Sequence, residues 1–91
     1  MSENTEVRSS IRAFVVQKFP AAKKRTLSDD LPLLESGIID SLGILDVVAF
    51  LEKTYAIQLA DDELIPDNFA DIKRMASFVE EKRRHNQIPA G

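Results

Sequence analysis

The chain has 91 residues, 44% of them hydrophobic and 30% charged, with a formal net charge of −3 at pH 7. This is the size and composition of one ordinary soluble globular domain, residues 1–91, with an ordered core expected over about 5–84. Cysteine is absent, which excludes disulfides, zinc–thiolate sites and thiol catalysis; the apolar runs are too short to span a membrane, and the polar start Met1-Ser2-Glu3-Asn4 lacks a signal core, so a cytoplasmic location is expected.

Val7, Ile11, Phe14, Val15 and Phe19 recur at the spacing of one helix face, which predicts an amphipathic helix over about 5–19. Asn4 or Thr5 is placed to cap it, and Pro20 ends it. Residues 20–40 hold no sustained period and are punctuated by Pro20, Pro32 and Gly37. A connection of this length is unusual in a compact domain. Leu27, Leu31, Leu33, Leu34, Ile38 and Ile39 predict that it lies across the helices and buries part of itself. Ser28-Asp29-Asp30 is read as the start of a single helical turn.

From Leu42 to Tyr55 the helical period returns. Val47, Val48, Leu51 and Tyr55 form a core stripe, and Leu42, Leu45 and Ala49 form a second apolar strip beside it. Part of that surface is expected to be exposed, as binding surfaces often are. Ala60-Asp61-Asp62-Glu63-Leu64 reads as a short helix with acids at its positive end, interrupted by Pro66-Asp67-Asn68. A last helix is expected over about 71–84, capped by Asp71, with Ile72, Met75, Ala76 and Val79 inward, Phe78 flanking, and Lys82-Arg83-Arg84 in its final turn. His85–Gly91 reads as a frayed tail. The predicted fold is all-α: a four-helix bundle of three main helices and one short one, with a long first loop and no convincing strand.

The modest net charge hides an uneven distribution. Residues 35–71 carry nine acids and one base, Lys53, a balance of −8. Basic residues flank this block at Lys18–Arg25 and Lys82–Arg84. A charge run can be only a solvated face. The sharper reading is a surface that attracts basic partner proteins and repels nucleic acid and anionic membranes.

Few groups are available for catalysis. His85 is the sole histidine and falls in the tail, a poor place to hold a base against a serine. The three glycines are scattered, so no phosphate loop exists. Asp61, Asp62, Glu63 and Asp67 lack the spacing and turn glycine of a calcium loop, and no metal site is assigned. Lys18, Lys23, Lys24 and Arg25 have among them only Phe19, already assigned to the helix stripe, so stacking on bases is not supported.

One segment stands apart: Gly37-Ile38-Ile39-Asp40-Ser41-Leu42-Gly43, where the long loop meets the second helix. The plain reading is that Asp40 or Ser41 is an N-cap. Three features favour a functional reading. The apolar loop presents this junction. Gly43 removes side-chain bulk beside Ser41, which would let another molecule approach closely. A helix N-terminus also favours phosphate, so a hydroxyl there is well placed to bear a phosphodiester.

Asp40-Ser41-Leu42, opening an apolar helix after a long loop, resembles the attachment motif of acyl and peptidyl carrier proteins. The likeness extends over about residues 5–84. It implies that Ser41 bears 4′-phosphopantetheine, installed from coenzyme A by a phosphopantetheinyl transferase, and that Asp40 assists that enzyme. It also implies a carrier that is not itself an enzyme: acyl or aminoacyl groups ride as thioesters on the arm's thiol, imported by a chain that has no cysteine. The expected partners are that transferase and an adenylating acyl or aminoacyl ligase, an acyltransferase or a synthase, meeting a monomer. Candidate contacts are Leu42, Leu45, Asp46, Ala49 and Glu52, with Asp61, Asp62 and Glu63 adding charge; such contacts are small and transient. An acid usually follows the motif in fatty-acid-synthesis carriers. Here Gly43 follows it, and Lys53 interrupts the acidic face, so the chain looks closer to stand-alone carriers serving adenylating ligases, D-alanyl carriers and those of specialised metabolism included. The alternative is a helical adaptor that docks a partner through the apolar strip of the second helix. In that reading Ser41 is only a cap, and Ser41→Ala costs about 0.5–2 kcal/mol of stability.

Overall fold

The computed structural model describes residues 3–87, with the side chains of 4–84. Three α-helices, α1 (Glu3–Lys18), α2 (Ser41–Tyr55) and α3 (Ile72–Gln87), make an all-α fold with no strand among the described residues.

α1 follows the expected stripe. Val7, Ile11 and Val15 are buried, and Phe14 and Phe19 pack half-buried at its edge. The helix begins at Glu3, ahead of both expected caps. Its last hydrogen bond runs from the Phe19 N–H to the Val15 carbonyl at 2.9 Å. Pro20 does more than stop the helix. It opens a 3-10 helix, Pro20–Lys24, at the one position where a missing N–H costs nothing. Ala22 anchors that turn in the core while Lys23 and Lys24 stay outside.

The connection from there to α2 is pinned, as its leucines and isoleucines predicted. Leu27, Leu33, Ile38 and Ile39 are buried. The Leu33 N–H donates to the Ala70 carbonyl (2.8 Å), the Ile39 N–H to Leu33 (3.1 Å), and the Lys73 N–H to Asp29 (2.9 Å). The Asp29 carboxylate receives Arg8 at 2.7 Å and also Arg12, whose Nε donates to the Leu27 carbonyl at 3.0 Å. The turn expected at Ser28 is present, closed by Leu31 N–H to Ser28 O at 3.2 Å. Gly37 lies at φ 81°, a left-handed backbone that suits glycine.

α2 buries Val47 and Leu51, with Val48 and Tyr55 half-buried beside them. It ends at Ala56, which adopts the left-handed cap conformation (φ 55°, ψ 46°). Beyond it, the expected short helix over 60–64 is replaced by two 3-10 turns, Asp61–Glu63 and Pro66–Phe69. Pro66 cannot continue a helix but can start one, so it divides the segment. Ile57 and Phe69 anchor the connection in the core.

α3 buries Ile72, Met75, Ala76 and Val79, and Asp71 caps it by accepting the Arg74 N–H at 2.7 Å. It continues to Gln87, so Lys82-Arg83-Arg84 do not form its final turn and His85–Gln87 are helical. The rest of the expected tail, residues 88–91, lies outside the described residues, as does the His85 side chain. α1 packs chiefly on α3. α1 meets α2 through aromatic rings, Phe14 stacking on Phe50 at 4.2 Å between centroids. Each fully buried aliphatic side chain contributes about 1.5–3 kcal/mol by leaving water. No helix among the described residues is long and apolar enough to cross a membrane.

Candidate functional site

The loop–α2 junction is held from below. Ile38 and Ile39 are both buried, so the two residues after them emerge at the surface. Asp40 has extended backbone (φ −98°, ψ −177°), and its Oδ1 accepts the Gly43 N–H at 2.7 Å while its carbonyl accepts the Ile44 N–H at 3.1 Å. Asp40 is therefore the N-cap, and Ser41 is the first helical residue. The Ser41 side chain is exposed and its hydroxyl engages no partner among the described residues. The cap takes up the Gly43 and Ile44 N–H groups and leaves those of Ser41 and Leu42 without an acceptor among the described residues. Two free N–H groups at the positive end of a helix suit an anion.

Leu42 is 76% exposed and Leu45 58% exposed. With Asp46 and Ala49, also exposed, they occupy i, i+3, i+4 and i+7 of α2, one outward face. Beside it runs an apolar groove of about 250 Å³ between Ser41, Ile44 and Leu45 of α2 and Leu64, Ile65 and Pro66 of the second connection. Wider clefts of about 390 and 500 Å³ flank Phe78, are lined mainly by charged side chains, and share no residue with this groove. Leu64 and Ile65, both exposed, are additions to the candidate surface. They are passed over in the sequence because they lie outside any helical period, directly before Pro66.

Gly43 corrects the expectation that it clears space for another molecule. It is buried, and a Cβ added there would lie 2.7 Å from Phe19 Cε1 and 3.1 Å from both Asp40 Oδ1 and Ile39 Cγ2. The chain itself fills the room that glycine leaves.

The acidic residues divide by environment. Asp61 and Asp62 are exposed, and Asp46 is about half exposed with Lys18 Nζ 4.0 Å away. Glu52 is half-buried, and its Oε2 accepts the Leu59 N–H at 2.9 Å, which ties the chain leaving α2 back to the helix. Glu63 accepts the Ala60 N–H at 2.8 Å and pairs with Lys82 at 3.0 Å. These two acids shape the second connection.

A small all-helical chain that displays a serine at a helix start, backed by an apolar groove, has the arrangement of a carrier protein. No family model matches the chain. Over 71 residues it is 31% identical to a protein of Serratia sp. described as probable acyl carrier protein PigG, an alignment that takes in 78% of this chain and 82% of that one. With that identity over most of both lengths, the chain belongs to the acyl carrier protein family. Membership makes it a carrier and not an enzyme, and in general implies a phosphopantetheine prosthetic group and partner enzymes of the synthase or transferase kind.

Proposed function

We propose that the chain carries acyl or aminoacyl groups as thioesters on 4′-phosphopantetheine attached to Ser41, taking them from one enzyme and delivering them to another. The observation that carries this reading is the exposed Ser41 hydroxyl at the first position of α2, freed from capping because Asp40 caps. When attached, the arm supplies the thiol that this cysteine-free chain lacks. The residues present fit it. Ser41 Oγ would bear the phosphodiester, and the Ser41 and Leu42 N–H groups remain for its charge. Asp40 holds the turn and keeps a carboxylate beside Ser41 for the modifying transferase.

Leu42, Leu45 and Ala49 offer the apolar centre of the partner contact, and Asp46, Asp61 and Asp62 its exposed charge. Glu52 and Glu63 add charge from positions that also brace the fold. Gly43 after the motif, in place of an acid, favours service to an adenylating ligase over a fatty-acid-synthesis role. We read residues 61–69 as a reduced fourth helix of a carrier bundle. We read the chain as one domain, because a single core draws on all three helices and both connections, and as a cytoplasmic monomer on the family resemblance.

Intact mass after incubation with coenzyme A and a broad-specificity phosphopantetheinyl transferase tests the assignment. The expected result is one added phosphopantetheine in the parent chain and none in Ser41→Ala. An unmodified parent, or a gain that survives Ser41→Ala, rejects it. Because Asp40 is the cap, Ser41→Ala leaves stability within about 0.5 kcal/mol, where a capping serine would cost roughly 0.5–2 kcal/mol.

A further inference from the structure

Gly43 is buried two residues beyond Ser41, and the space its missing side chain would take is occupied from the far end of α1. An added Cβ would stand 2.7 Å from Phe19 Cε1, closer than real side-chain carbons come, so something would have to move.

The Phe19 backbone is held on both sides, and its half-buried ring has a packing partner. Its N–H bonds the Val15 carbonyl and its own carbonyl accepts the Ala22 N–H, both at 2.9 Å. Pro20 follows it, Ala22 is seated in the core, and the Phe14 ring meets its ring edge-on at 6.3 Å. The cap is no freer. The Asp40 Oδ1 that would lie 3.1 Å from the new carbon is the same atom that receives the Gly43 N–H. Ile39, at the same 3.1 Å distance, is buried and bonded to Leu33. Gly43 is thus the point where the end of α1, the anchored loop and the capped start of α2 come together. Its neighbours Ser41 and Leu42 project from that point into solvent.

We infer that Phe19 and Gly43 form a steric latch that positions the Ser41 turn for modification, with both acting as positioning residues. The inference rests on Ser41 being the attachment residue. A transferase must bring Ser41 Oγ to the phosphorus it accepts, and a misplacement of about 1 Å can cost on the order of a hundredfold in rate. The latch is steric, so it distinguishes sharply between hydrogen and methyl at residue 43.

The experiment measures steady-state phosphopantetheinyl transfer from coenzyme A to the parent chain, Gly43→Ala, Phe19→Leu and the double variant, with thermal unfolding of each. Alanine is the better helix former, so propensity alone would raise stability and leave the rate unchanged. The latch instead lowers kcat for Gly43→Ala roughly tenfold or more, with KM little altered. Leucine ends short of the Cε1 position and removes the tightest of the three contacts, so the double variant recovers most of the rate lost in Gly43→Ala. Should Gly43→Ala fail to fold, folding restored by Phe19→Leu supports the same contact. A Gly43→Ala rate equal to the parent's overturns the latch. A loss that Phe19→Leu does not relieve overturns it too. A parent chain that gains no mass at Ser41 rejects the carrier assignment itself, a result distinct from every latch outcome.

Discussion

The two irregular connections of this molecule differ in how tightly the fold holds them. Residues 19–40 bury Ala22, Leu27, Leu33, Ile38 and Ile39, bond to α3 and to Ala70 just ahead of it, and set a carboxylate between two arginines. Residues 56–71 bury only Ile57 and Phe69, and leave Leu64 and Ile65 facing solvent. The first connection therefore serves as a scaffold and delivers Asp40 and Ser41 from a fixed base. The second is a lightly anchored surface that lines a groove beside Ser41. Lack of regular structure thus says little about rigidity; what matters is where the side chains and backbone hydrogen bonds go.

The largest test of this contrast is a paired truncation. Leu33→Ala removes a fully buried side chain from the first connection and is expected to cost about 2–5 kcal/mol. Leu64→Ala, on the exposed connection, is expected to stay within about 0.5 kcal/mol. Urea unfolding measures both, and equal losses would dissolve the distinction. A smaller effect is expected at Asp29. Asp29→Ala leaves Arg8 and Arg12 without their shared acceptor, and the groups are about one-third exposed, so a loss of roughly 1–2 kcal/mol is expected. Added salt should narrow the gap between parent and variant; a gap indifferent to salt would assign the effect to packing.

The smallest stability change belongs to the charged edge of the second connection. The double change Asp61→Asn, Asp62→Asn removes exposed charge and should leave the unfolding midpoint nearly unmoved, within about 0.5 kcal/mol. Its expected signature is slower association with the modifying transferase at low salt, converging with the parent as salt rises. Salt-independent, identical rates would reduce these acids to solvation alone.

Much of this organisation was legible in the residues. The stripe Val7–Ile11–Val15, the pair Val47 and Leu51, and the set Ile72, Met75, Ala76 and Val79 all read as helix faces and all are buried. The apolar character of the first connection announced its burial, and Asp71 announced its cap. The outward strip Leu42–Leu45–Ala49 was readable because α2 has more apolar surface than one core face can absorb. Less was legible where short-range signals compete. Pro20 and Pro66 read as stops, yet each begins a 3-10 turn. A proline says where a helix cannot continue, not whether neighbouring contacts will support a new turn. Glu52 and Glu63 read as members of an acidic face. Their bonds to Leu59, Ala60 and Lys82 depend on how the chain folds back after α2.

The amino-acid sequence by itself determined the helical class, the inward faces and the Asp40-Ser41-Leu42 junction. Those signals act within a turn or two of the chain, through periodicity and capping chemistry. Tertiary structure alone decided which of Asp40 and Ser41 caps α2, which acids remain available at the surface, and what Gly43 is for. The last is the clearest case. From sequence, a glycine beside an attachment serine reads as open space. In the fold that space belongs to Phe19, because packing brings the end of one helix against the start of another.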